Sequence, residues 1–395
     1  MSHILFAWEL GGGLGHVAPY VETIRQLTAK GHEVSFALRD LSRAETILAQ
    51  SGATYLQAPA LLKPIPQPIP NPYSYPQILH NVGYHDPNTL LALVKAWRRL
   101  IELVRPDVLV ADHSPTALLA SRLTGVHRVI AGTGFTVPPP LTPMPNMRFW
   151  SHVEPEFLSR FEDRMLGNIN TAMRQLGVKS LDKVADVIDA EAVVLRTLPE
   201  LDHYPSRPAA EYWGIWPTMR AAPPVWPATT RPGGKIFAYL KPSRDLPAVL
   251  QALRQLGRSS IVYLESKTEL LIERYGAPHI NFVDHPQDIS RVAEECDLAV
   301  LNVNHDTMAY FLLSGKPIFM LPLTLEQFIL SKNVERLGAG VGATTADTRK
   351  LAPLLESMNG TDSYRLAAQG FALKHASRDK TAMQDRFLSL IEGGL

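Results

Sequence analysis

The stretch HILFAWELGGGLGHVAPYVETIRQLTAKGHEVSFAL, residues 3–38, reads as strand, turn, helix and strand. "ILFAW" is a short apolar run. Residues 16–29 place Val17, Tyr20, Val21, Ile24 and Leu27 on one helical face. Gly31 stops the helix, and "EVSFAL" is the next strand. Between the first strand and the helix lie Gly11, Gly12, Gly13 and Gly15, followed by His16. A glycine-rich strand-to-helix turn lets the backbone approach a ligand closely.

The alternation continues outward from this unit. "DVLVAD" (107–112) is a strand, "SPTALLASRLTG" a helix and "HRVIAGT" a strand, which is a parallel α/β layout. Residues 204–234 have almost no helical or strand period and read as a connection. The pattern restarts at "KIFAYL" and runs through "SSIVYLE", "CDLAVLNV" and "KPIFMLPL". Two α/β domains facing each other across a substrate cleft are expected.

Composition narrows the classes. The chain has 395 residues, 46% hydrophobic and 19% charged, which fits two globular domains. Its 39 basic and 38 acidic residues leave a net charge of +1, with no basic run, so nucleic acid is not an expected partner. The single cysteine, Cys296, excludes an intrachain disulfide framework and a cysteine-based zinc site. No signal peptide or long apolar span is visible, and a soluble, cytoplasmic protein is expected. The 32 prolines cluster at 61–77 and 136–150, which reads as long, stiff loops.

The second half carries a specific pattern. The stretch 285–340, from "HPQDIS" to "NVERLGAG", resembles the donor-binding region of family 1 glycosyltransferases. These are inverting, two-domain GT-B enzymes that use nucleotide-diphosphate sugars. Pro286-Gln287 stands at the family's Pro-Gln, and "NVNHDT" (302–307) at its His-Cys-Gly-Trp-Asn-Ser or His-Gly-Gly-His-Gly-Thr loop. "SGKP" takes the place of Gly-Val-Pro, and Glu326-Gln327 that of the Asp-Gln pair. In the first half, "GHVAPYVETIRQLTAKGHEVSFA" is similar to the family's first strand-turn-helix-strand. "TLPELDHYPSR" with "EYWGI" is similar to the end of its first domain.

The resemblance implies an α/β GT-B fold of two Rossmann-like, doubly wound domains facing across a cleft. Residues 1–215 would bind the acceptor, 216–234 link, 235–380 bind the nucleotide sugar, and 381–395 return as a helix to the first domain. It implies a metal-independent hexosyltransferase with no cofactor. A UDP- or dTDP-sugar would be the co-substrate and a small, lipophilic hydroxyl compound the acceptor.

Transfer to a hydroxyl needs a base, a holder for the diphosphate and a holder for the sugar. An imidazole near neutral pKa suits the first task, and His16 is placed at the first helix start. Asp112, ending its strand at the same sheet edge, matches the family's dyad aspartate; without that match it reads equally as a helix cap. For the diphosphate, a helix starting near Asp306-Thr307 offers free N–H groups. Asn302, Asn304, His305, Lys241, Ser243 and Gln287 join it by position in the motif, although Asn302 stands where the family has a histidine. Asp306 otherwise reads as an N-cap. Glu326 and Gln327 match the sugar-binding pair. Gly13, Gly15, Phe135 and Trp150 are the expected acceptor contacts, with Trp8, Tyr73, Tyr75 and Phe149 as apolar walls. His285 or Phe282 replaces the family's stacking tryptophan. His3, His32, His113, His127 and His279 carry no spacing signal and read as surface or packing.

Three other readings compete. A dinucleotide fingerprint would need G-x-G-x-x-G, but His16 occupies the third glycine position. A non-catalytic binding module and a sugar-nucleotide epimerase share the same scaffold.

Overall fold

A computed structural model describes residues 1–217, 221–228, 233–264, 269–343 and 351–394. The chain forms two compact units, Met1–Pro217 with Lys380–Leu395, and Thr218–Asp379. Each unit is built on one six-stranded sheet.

The first sheet contains β1 (His3–Trp8), β2 (Glu33–Leu38), β3 (Thr54–Gln57), β4 (Val108–Asp112), β5 (His127–Gly132) and β6 (Ala192–Leu195). Its order is β3-β2-β1-β4-β5-β6, all parallel. The second contains β7 (Ile236–Leu240), β8 (Ser260–Leu264), β9 (Ile280–Val283), β10 (Leu298–Leu301), β11 (Ile318–Met320) and β12 (Gly340–Gly342). Its order is β12-β11-β10-β7-β8-β9, also parallel. Counted within each unit, both sheets run 3-2-1-4-5-6. That is the doubly wound, Rossmann-like order, and it matches the fold class expected from sequence. The order places a topological switch between β1 and β4, and another between β7 and β10. In such sheets ligands bind outside the carboxyl ends of the strands at the switch.

The central strands are apolar on both faces because helices cover both. Ile4, Phe6, Val108 and Val110 join one core with Ile24 and Leu27 of helix Val21–Ala29. Phe387 and Ile391 of helix Lys380–Gly393 complete the same core. Phe387 stands 4.6 Å from Trp216 and 6.0 Å from Tyr20, ring to ring.

Two expectations need correction. The first α-helix runs from Val21 to Ala29, not from residue 16. Before it come two 3₁₀ turns, Leu14–His16 and Ala18–Tyr20. Pro19 lies inside the second turn, and its missing N–H and fixed φ suit a chain that has yet to enter the α-helix. The helix expected near Asp306-Thr307 starts one residue earlier, at His305, so Asp306 is in its first turn and is not its N-cap. Between 204 and 234 the described residues hold no helix or strand, only single bridges at Tyr212 and Ala222. Residues 218–220 and 229–232 of the expected linker lie outside the described residues.

Candidate active site

At the switch of the first sheet, β1 and β4 run side by side with Trp8 opposite Asp112. Asp112 is the last residue of β4, so its carboxylate stands at the sheet's carboxyl edge. The turn Leu14–His16 brings His16 to the same edge, with its Nδ1 3.0 Å from Asp112 Oδ1. Both side chains are buried. A carboxylate can only accept, so Nδ1 carries the hydrogen of this bond. Trp8 stacks on the His16 ring at 5.3 Å and 17°. The Tyr20 hydroxyl donates to Asp112 Oδ2 at 2.8 Å.

Gly11 shows why the turn is glycine-rich. Its φ is +83°, in the left-handed region. A β-carbon there would stand 2.7 Å from His16 Nε2 and 3.3 Å from His113 Nδ1. Gly13 also has positive φ, +90°. Gly15 has open space where a side chain would go.

His113 is the residue that spacing left as surface or packing. It is buried, has a φ of +46° and follows Asp112 directly. Its ring lies 6.0 Å from His16, 6.0 Å from Tyr75 and 5.9 Å from Phe135. Among the described residues, neither ring nitrogen has a hydrogen-bond partner. Burial, with His16 beside it, holds the ring's pKa well below the usual histidine value, so it stays neutral. Phe135 and Tyr75 therefore gather near the His16 edge. Phe149 and Trp150 instead pair with each other at 5.2 Å and are partly exposed. The two proline-rich loops touch, with Met147 N–H donating to the Tyr73 carbonyl and Arg148 to Asn71.

Glu9 follows β1 on this same edge and is buried, accepting from the Thr116 N–H at 2.9 Å. Burial pushes its carboxyl up to about 7. Its pKa is thus above the unfolded value, and the folded chain keeps a proton that the unfolded chain releases between about pH 4.5 and 7. Stability should therefore fall as pH rises through that window, by on the order of 3 kcal/mol from this group. Glu9→Gln keeps an acceptor for Thr116 and should remove that slope. Urea unfolding of both proteins at pH 5 and 7.5 checks it; equal slopes would refute the assignment.

The second unit's switch brings other predicted residues together. Asn302 follows β10, and its Oδ1 accepts from the Lys241 N–H at 2.6 Å. Its Nδ2 donates to the Leu321 carbonyl at 2.7 Å. Asn302 thus ties the ends of β7, β10 and β11, a structural role absent from the sequence reading. Asn302→Ala should leave two backbone groups unsatisfied and cost about 1–3 kcal/mol for each. If denaturant melts show no loss and nucleotide affinity falls instead, Asn302 faces the ligand.

Val303 has a φ of +66° and is fully buried, a strained position for a β-branched residue. Helix His305–Leu313 begins just after it. His305 Nδ1 lies 2.9 Å from Asp306 Oδ1, and Thr307 is in the same first turn. Gln327 is buried at the start of helix Leu325–Leu337; its Oε1 accepts from Leu323 N–H at 2.7 Å, and its Nε2 donates to Asn304 at 3.3 Å. Glu326 precedes it in the first turn. Gln287 is buried, donating to the His285 carbonyl. Ser243 lies in the loop after β7, where its carbonyl accepts from Leu246 N–H. His285 is exposed, and Phe282 packs on the sheet's core. Among the described residues, no group of three or more His, Cys, Asp or Glu side chains could hold a metal ion. None of the described helices is long and apolar enough to cross a membrane.

The two sheets, each with helices on its faces, are the GT-B architecture, in which solved glycosyltransferases align with this chain nearly end to end. The spinosyn rhamnosyltransferase SpnG superposes with a TM-score of 0.67 at 17% identity, over 98% of this chain and 100% of its own. The Streptomyces sp. SF2575 glycosyltransferase SsfS6, complexed with thymidine diphosphate, gives 0.64 at 18% identity, over 100% of each chain. A PGL/p-HBAD biosynthesis glycosyltransferase of Mycobacterium tuberculosis is 25% identical over 341 residues, 79% of this chain and 78% of the relative. No family model matches the chain.

Proposed function

We propose that this chain is an inverting glycosyltransferase of the family 1 kind. It would move a sugar from a UDP- or dTDP-sugar to a hydroxyl of a small, apolar acceptor. The observation that carries the reading is the buried His16–Asp112 hydrogen bond at the first sheet's switch. It orients an imidazole through Nδ1, and Nε2 would take the acceptor proton, the first requirement of the chemistry.

In the reaction, the acceptor O–H gives its proton to His16 Nε2. The oxygen forms a bond to the anomeric carbon while the bond from that carbon to phosphate breaks. The nucleoside diphosphate leaves with the electron pair, and the anomeric centre inverts. Asp112 stabilises the imidazolium so formed. In the second unit, the start of helix His305–Leu313 favours phosphate by its free N–H groups. Thr307, His305, Asn304, Ser243 and Lys241 add donors there, and Glu326, Gln327 and Gln287 complete the donor set. Asn302 and Gln327 contribute by fixing the loops as well. Phe135, with Gly13 and Gly15, would border the acceptor, and Trp150 would lie further out. The donor assignment draws support from SsfS6 and SpnG, both complexed with thymidine diphosphate. The acceptor class draws support from SpnG complexed with spinosyn aglycone.

The test uses purified protein with a panel of UDP- and dTDP-sugars and apolar alcohols or phenols. Mass spectrometry should find an acceptor one sugar heavier, and NMR should show the opposite anomeric configuration to the donor. Retained configuration would refute inversion alone. Donor binding without transfer to any acceptor would point to a binding module.

A further inference from the structure

We propose that Tyr20 is a positioning residue for the His16–Asp112 pair and sets how tightly that pair holds a proton. The inference deepens the reading of His16 as a base and rests on it for its catalytic consequence. Tyr20 lies in the turn Ala18–Tyr20, only four residues after His16. Its hydroxyl donates to Asp112 Oδ2 at 2.8 Å, while His16 holds Oδ1 at 3.0 Å. The carboxylate is therefore gripped at both oxygens, which fixes its plane and hence the imidazole's direction. A longer contact, 3.3 Å, runs from the same hydroxyl to the Ala131 carbonyl on β5.

The phenol is itself fixed. It is fully buried, with Phe6 at 5.5 Å, Trp216 at 5.9 Å and Phe387 at 6.0 Å around its ring. The Arg196 guanidinium lies 5.3 Å over that ring and 4.8 Å over Trp216. A positive charge beside a phenol makes its hydroxyl a stronger donor. The chain His16–Asp112–Tyr20–Arg196 thus carries alternating charge and donor character into the core. A hydrogen bond to a carboxylate spreads its negative charge and weakens its pull on a neighbouring imidazolium. Among the described residues, His113 lies 6.0 Å from His16 ring to ring and is held neutral, the Tyr75 phenol feels the Asp112 charge, and the Arg39 charge acts on both His113 and Glu9.

Removing the hydroxyl leaves Asp112 Oδ2 without this donor. The proton shared by the pair is then bound more tightly, whichever member carries it. In Tyr20→Phe, the acid limb of the pH–rate profile should move up by about 0.5–1 pH unit, a roughly three- to tenfold tighter proton. The His16 ring resonance, assigned by its absence in His16→Gln, should titrate with a midpoint moved up to match. A Tyr20 that merely packs would lower melting temperature or turnover without moving either midpoint, and that result overturns the proposal. In an Asp112→Asn background the same substitution should no longer move the His16 midpoint. If Tyr20→Phe does not fold, 3-fluorotyrosine at position 20, a stronger donor, should move the midpoint down; an unmoved midpoint overturns the proposal. The NMR titration needs no turnover. A midpoint that moves while His16→Ala remains fully active would therefore refute the base assignment and leave the Tyr20 linkage standing.

Discussion

His16→Ala is expected to cut sugar transfer by about 10²–10⁴-fold while leaving nucleotide affinity nearly unchanged. Both halves of that expectation follow from position. The imidazole stands in the first unit, with Nδ1 bonded to Asp112 and Nε2 facing Gly11. The residues proposed to hold the nucleotide all lie in the second unit. Loss of a general base removes a proton acceptor in the transition state and leaves ground-state binding of the donor intact. Calorimetry with the nucleoside diphosphate and turnover on the best donor–acceptor pair read the two separately. Wild-type turnover in His16→Ala would eliminate this residue as the base. A parallel fall in nucleotide affinity would mean the substitution had disturbed more than the proton step.

Asp112→Asn is expected to lower turnover by a similar order, about 10²–10⁴-fold, with little change in fold. The isosteric carboxamide offers one acceptor where the carboxylate offers two. His16 Nδ1 and the Tyr20 hydroxyl both use Asp112. If the amide oxygen turns to Tyr20, its NH₂ faces Nδ1 and forces the hydrogen onto Nε2, where it blocks proton uptake. If the oxygen turns to His16, the tautomer survives but the charge that stabilises the imidazolium is gone. Both orientations lose catalysis by different routes. Turnover within threefold of wild type would show that Asp112 does not serve the imidazole.

Much of the fold could be read in residues 3–38 and their echoes, because buried parallel strands are short apolar runs bounded by turns. The strand order itself comes from the sheet pairing and not from the pattern. What escaped was three-dimensional. The helix start was placed too early because apolar periodicity runs straight through Pro19, where the backbone is still in a 3₁₀ turn. Tyr20 counted only as one residue of an apolar face, since its hydroxyl's partner lies 92 residues away. His113 had no signal of its own, and its place depends on a left-handed φ just past the end of β4. Asn302 sits at a motif position where the family presents a ligand contact, yet here its amide ties strand ends together. A motif gives the address of a side chain and not the direction in which it points.

Helix Lys380–Gly393 belongs to the first unit although the whole second unit intervenes in sequence. This imposes an order of assembly during synthesis. When residue 217 has been made, the aromatic faces of Tyr20 and Trp216 still lack Phe387. About 170 further residues must be added to reach Phe387, which at roughly 5–20 residues per second takes on the order of 10–30 s. Through that interval the nascent first unit is open at the wall behind Tyr20, the residue that grips Asp112. The wall around Tyr20 and Trp216 therefore gains its Phe387 face only after the second unit has been made.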